Sequence, residues 1–152
     1  MKKGEIRSLA ICIFSYRDLI LVAEGYDSVK DKYFYRPIGG GIEYGELSED
    51  AVVREVREEI EAEIREVTYL GTIENIFTFN GEVGHEIVMV YDADFVDNSF
   101  YNIGSFEGKE DDGSVFKLIW CSLSDFQEGN RRLVPDNLME LISHNGKSIS
   151  KI

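Results

Sequence analysis

Apolar and polar positions alternate in three different rhythms along this chain. Residues 6 to 15, IRSLAICIFS, and 19 to 24, LILVAE, are apolar and β-branched, with Tyr16, Arg17 and Asp18 as a turn between them, and they predict a hairpin. Its second strand runs out into the looser segment GYDSVKDK. YFYRPI predicts a short aromatic strand stopped by Pro37, and the glycines at 39, 40 and 41 predict a sharp turn, because they admit positive φ.

At Ser48 the rhythm becomes helical. Val52, Val53, Val56 and Ile60 recur at helical spacing, Ser48 suits the N-cap and Glu49 and Asp50 suit the positive helix end, so a helix is expected over 48 to 61. Two long strand-like runs follow, VTYLGTIENIFTF and HEIVMVYDADFV, joined through Asn80-Gly81 as a second hairpin. The stretch 97 to 114 is polar, acidic and glycine-bearing and predicts a long loop before the strand VFKLIWCSL. Two short helices are expected in the tail, near 123 to 129 and from Pro135, with a frayed end from Gly146. Together these elements predict a single domain over 1–152, α/β or α+β in type, with a mixed β-sheet sandwiched between α-helices.

Composition narrows the partners. With 29 acidic against 16 basic residues the net charge is −13, so duplex nucleic acid and anionic membranes are repelled, and an anionic small molecule needs a bridging cation. No apolar run approaches the ~20 residues of a membrane span, and a cytoplasmic setting is the expectation. Cys12 and Cys121 lie far apart in apolar segments and read as reduced buried thiols.

The same charge makes one helix costly. Glu55, Glu58 and Glu59 form a ridge of about 100° beside the apolar stripe, where like charges at i, i+3 and i+4 repel. Pairing of Arg54 with Glu58 would make the ridge an ordinary solvated face. A hard divalent cation, shared with a phosphate, would instead turn the repulsion into coordination.

The residues before the helix favour the second reading. Gly40, Glu46, Arg54, Glu55, Val56, Glu58 and Glu59 match, in order and spacing, the box G-x5-E-x7-R-E-U-x-E-E-x-G-U, where U is a bulky aliphatic. Through this box, residues 40–62, the chain resembles the Nudix, or MutT-like, pyrophosphohydrolases. It departs at the end, with Glu61 in place of glycine and Ala62 in place of the aliphatic. A glutamate forced into the left-handed conformation there costs on the order of 1 kcal/mol.

The resemblance implies hydrolysis of a nucleoside diphosphate linked to a moiety X, such as a nucleotide, dinucleoside polyphosphate or nucleotide sugar, with Mg²⁺ or Mn²⁺ as cofactor. It implies Glu55, Glu58 and Glu59, with the carbonyl of Gly40, as metal ligands, and Arg54 and Glu46 as supports of that ridge. Gly39, Gly40 and Gly41 let backbone approach a phosphate, and Arg36 suits bidentate phosphate binding, or equally a surface arginine. A further carboxylate acting as base is sought among Glu107, Glu110, Asp111 and Asp112. Tyr33, Phe34, Tyr35, Phe77, Phe79 and Trp120 are candidates for stacking on a base, or for the core. His85 could meet substrate and His144 suits a helix C-terminus.

Two other functions compete. A non-catalytic domain of the same fold could sense a nucleotide derivative without cleaving it, and the acidic ridge or the GKEDDGS loop could simply bind Ca²⁺, although that loop lacks EF-hand spacing. The family's dimers leave homodimerisation open, and the substrate is not legible in the box.

Overall fold

A computed structural model describes residues 4–144. Strands β1 (Ile6–Ile13), β2 (Ser15–Tyr16), β3 (Leu19–Asp27), β4 (Lys32–Arg36) and β5 (Ile38–Gly41) precede helix α1 (Ser48–Ile60). Strands β6 (Ile64–Phe79) and β7 (Glu82–Phe95) follow, then β8 (Ser105–Lys109), β9 (Val115–Ser122) and helices α2 (Leu123–Gln127) and α3 (Leu138–His144).

One sheet has the order β5-β1-β7-β6 and is mixed, with β1 parallel to β7 and the other pairs antiparallel. The other has the order β2-β3-β9-β8, with β4 on β3. The apolar run from Leu9 to Ile13 in β1 explains its central place, since a strand segment buried on both faces has no solvent face to keep polar. Leu9, Ile11 and Ile13 join a core with Leu123, Phe126, Leu138 and Ile142 from the C-terminal helices, while Ala10, Cys12 and Phe14 join a core with Ala51, Val52, Val56 and Ile60 of α1. Helices therefore cover both faces of the mixed sheet, as the α/β reading expected. Cys12 and Cys121 are both buried as reduced thiols.

The local elements differ from expectation in several places. The first hairpin is limited to β2 and β3, paired Ser15 to Ile20 and Tyr16 to Leu19 about Arg17 at φ 56°. Past Phe14 the chain changes sheets, because β1 needs strand partners on both edges and finds them in β5 and β7. The segment thought loose continues β3 into a hairpin with β4.

The triple glycine is a strand, β5, paired with β1 from Cys12–Ile38 to Leu9–Gly41. A Cβ on Gly39 would stand 2.2 Å from the Ala10 carbonyl oxygen, so glycine serves close strand approach rather than a sharp turn. The acidic stretch 97 to 114 contains a 3₁₀ turn, Asn98–Tyr101, and strand β8, which leaves a tight turn of about five residues before β9. Its polar composition hid the strand because β8 is largely solvent-facing.

Ser48 is the first helical residue rather than the N-cap. Leu47 caps α1 without a side-chain bond, and the Ser48 hydroxyl pairs instead with the Tyr91 hydroxyl at 2.5 Å. α3 begins three residues after Pro135. The long hairpin β6–β7 and its Asn80-Gly81 turn, at φ 51° and 82°, are as expected. Residues from Gly146 lie outside those described.

Candidate active site

Helix α1 runs past the edge of the mixed sheet at β5, and its acidic ridge divides into two environments. Arg54 commands the first. It donates to both oxygens of Glu46, Nε to Oε2 at 2.7 Å and Nη2 to Oε1 at 2.8 Å. The same guanidinium donates to Glu55 Oε1 at 2.9 Å, Glu58 Oε2 at 3.2 Å and the Gly41 carbonyl at 2.9 Å. A planar fork with five N–H donors is suited to this bundling of carboxylates. Its hydrogen bonds hold the Glu46 carboxyl down at about 2, and Glu46 in turn raises the Arg54 pKa.

Glu46 also accepts from the Glu43 backbone N–H at 3.0 Å, which closes a turn in the segment leading into α1, while its bonds from Arg54 tie that segment to the helix. Glu58 keeps 45% of its side chain exposed, so one carboxylate of this bundle faces solvent.

Glu59, a single residue further along, has the opposite environment. It is 7% exposed, and its Oε1 is the buried side-chain oxygen that lacks a hydrogen-bond partner among the described residues. Burial first, then the charges of Glu110 and Glu55, push its pKa up to about 9, against the weaker pull of Arg36 and the Gly39 backbone N–H. Glu55 lies between the two environments: burial raises its pKa, Arg54 opposes that, and Asp111 and Glu58 add repulsion. A Cβ on Gly40 would stand 2.5 Å from the Glu55 carboxylate, so only glycine leaves room there.

The sequence candidates separate accordingly. Glu110 and Asp111, on the β8–β9 turn, face Glu59 and Glu55 through their charges. Glu107 sits opposite Lys117 in β8, and Asp112 accepts from the Ser114 backbone N–H at 2.8 Å to close the turn. Arg36, Gly39 and Glu59 are among the residues that line a cavity of about 540 Å³. Tyr33, Phe34, Phe77 and Phe79 line its walls.

Tyr35 is buried in the core and Trp120 donates to the Phe100 carbonyl at 3.0 Å, so both are committed to packing. His85 sits on β7 between Ile6 and Ile76, outside the cavity lining. His144 is the last residue of α3. Among the described residues no three Asp, Glu, His or Cys side chains converge as a ready-made metal site.

The cavity also holds residues the motif reading passed over: Arg7, Glu24, Asn75 and Glu86. Glu86 left a signal. On β7 it is in phase with the buried Val88 and Val90, so a charged residue stands next to apolar ones on the buried face of the strand.

Comparison with known proteins agrees with this geometry. The family model for the NUDIX domain matches residues 6–142. Among solved structures, a MutT NUDIX hydrolase from Burkholderia pseudomallei is similar at a TM-score of 0.63 and 22% identity, over 92% of this chain and 98% of that one. A NUDIX hydrolase from Nitrosomonas europaea is similar at 0.63 and 19%, over 95% and 92%, and the E. coli ORF135 protein at 0.53 and 19%, over 93% and 90%. No curated protein matches the chain. At these identities the structures speak for the fold, while the family model spans nearly the whole of the described chain. The chain belongs to the Nudix, or MutT-like, hydrolase family.

Proposed function

We propose that this protein is a divalent-cation-dependent pyrophosphohydrolase that cleaves the diphosphate of a nucleoside diphosphate linked to a further group X. The observation that carries the reading is Glu59, a buried carboxylate with an unpartnered oxygen in the lining of a cavity of nucleotide size. A lone buried carboxylate is unfavourable unless it is neutralised or paired, and two more carboxylates crowd this one.

The donor chemistry fits Mg²⁺ or Mn²⁺. All the donors are hard oxygens, and the glycine at 40 keeps open the space beside Glu55 that a Cβ would fill. Glu55, Glu58 and Glu59, with the Gly40 carbonyl, would hold the ion. When bound, it supplies Lewis-acid polarisation of the phosphoryl oxygens and acidifies water.

The chain's own groups carry the remaining work. Arg54, itself held by Glu46, positions the ridge by donating to Glu55 and Glu58. Arg36 and the backbone of Gly39, Gly40 and Gly41 bind and orient the phosphates. Water attacks one phosphorus, the bond from that phosphorus to the bridging oxygen breaks, and a carboxylate of the β8–β9 turn, Glu110 or Asp111, accepts the water's proton. The products are a nucleoside monophosphate and phosphorylated X.

The acidity of the chain supports free nucleotides rather than duplex nucleic acid or anionic membranes as its substrates, and a cytoplasmic setting is part of the proposal. Among the described residues no helix is long and apolar enough to cross a membrane. A panel of nucleoside diphosphate derivatives incubated with Mg²⁺ or Mn²⁺ tests the reading: nucleoside monophosphate is released from at least one class. Ligands that raise the melting temperature with no turnover would make the protein a sensor instead.

A further inference from the structure

The cavity contains a second buried carboxylate, on a different strand from the helix that carries Glu59. Glu86 is 7% exposed and lines the cavity from β7. In register it stands between Arg7 on β1 and Asn75 on β6. Arg7 Nη1 is 3.9 Å from Oε2, beyond hydrogen-bond distance, and Asn75 Nδ2 donates to Oε1 over a long 3.4 Å. An ionised carboxylate only accepts, at about four lone-pair sites, so these partners leave most of its capacity open toward the cavity.

The walls beside it are flat and apolar. The Phe34 ring is seated against Gly25, where a Cβ would stand 2.4 Å from it, and meets Phe79 edge-on at 5.7 Å between centroids. Phe77 follows Asn75 by two residues on β6 and so shares its face. A planar ring stacked on one of these walls would present its edge to Asn75 and Glu86.

That polar pair offers a donor, Asn75 Nδ2, followed by two acceptors, the Glu86 oxygens. The complementary edge reads acceptor, donor, donor. Guanine carries this order at O6, N1–H and N2–H₂; adenine places an acceptor at N1, and the pyrimidines have no adjacent pair of donors. Along β1, the level of Glu86 at Arg7 is four residues, ~13 Å, from the level of Gly39 at Ile11, a span that a nucleotide can bridge between base and phosphates.

We infer that Glu86 and Asn75 read the Watson–Crick edge of guanine, which makes guanine nucleoside diphosphate derivatives the preferred substrate class. The inference deepens the proposed function and rests on it in taking this cavity as the substrate's.

The test is calorimetric binding of GMP, IMP and AMP, which share the phosphate and differ at the base edge. Wild type binds them in that order, GMP over AMP by about tenfold or more, because inosine lacks one donor and adenine lacks the pattern. Glu86→Gln loses about tenfold for GMP and little for AMP, and Asn75→Ala loses less. Equal binding of the three by wild type, no binding of any, or unchanged GMP affinity in Glu86→Gln overturns the inference. The wild-type ranking decides even where a variant fails to fold. Metal-dependent turnover is scored separately: hydrolysis without base preference removes the guanine assignment alone, and ranked binding with no hydrolysis of any nucleotide removes the hydrolase alone.

Discussion

Glu46 and Glu59 are both carboxylates near the same helix, and the chain treats them in opposite ways. Glu46 is gripped by both arms of the Arg54 guanidinium and held ionised down to about pH 2. Glu59 is buried with an unpartnered oxygen and stays protonated up to about pH 9. The difference teaches that the conserved-looking spacing of a motif hides two physical roles. One acid is held ionised inside a frame; the other is buried with an oxygen left unpartnered and its charged form disfavoured.

The sharpest way to break the comparison is at its poised end. Glu59→Gln is expected to lower kcat by roughly 10²-fold or more, since under the proposed function Glu59 is a ligand of the catalytic cation. Steady-state kinetics with Mg²⁺ on the best substrate of the panel reads this effect, and an unchanged kcat would leave Glu59 a structural acid.

Next comes the frame. Arg54→Ala leaves Glu46, Glu55 and Glu58 without their shared cation and is expected to cost about 3 kcal/mol of stability, measured by urea unfolding. A loss near zero would show that solvent takes over the frame, and that the two environments are less distinct than their geometry.

The pH dependence sharpens the contrast. Glu59 has a folded pKa above its unfolded one, so between about 4.5 and 9 the native state binds more protons than the unfolded state. Its contribution to stability is therefore fully present below pH 4.5 and is lost as pH rises toward 9. Glu46 has the reverse sign: its folded pKa is depressed, so its contribution is present above about 4.5 and lost as pH falls toward 2. Melting curves without divalent cation should show the Glu59→Gln variant gaining on wild type as pH rises from 6 to 8.

The smallest expected effect lies at the helix end. Glu61 adopts φ 55° and ψ 36° while its N–H still bonds to the Arg57 carbonyl at 2.9 Å, so the helix terminates as the motif glycine would have it. Glu61→Gly should raise stability by about 1 kcal/mol with no change in kcat.

Much of this was legible in the sequence, for reasons that differ by region. The helix, the long hairpin and the box rest on strong local signals: a 3.6-residue rhythm, an Asn-Gly turn and fixed spacing. The sheet change at Phe14 was not legible, because an apolar strand does not say which strand it will pair with. The triple glycine misled in the same way, since Gly39 answers a close approach by Ala10 from a distant strand. Within the site, the ridge was visible but its division was not. Nothing in REVREE tells which glutamate Arg54 will hold and which will be buried beside Gly39. Glu86 could have been found from its misplaced charge on an apolar face, but only by asking what a buried acid does there.

The central claim, that Glu59 is kept unpaired for a cation, is tested most directly by a Mg²⁺ titration of wild type and Glu59→Gln followed by thermal unfolding at pH 7.5. The account predicts that the melting temperature of wild type climbs with Mg²⁺ and that of the variant does not. An equal rise in both proteins would contradict it.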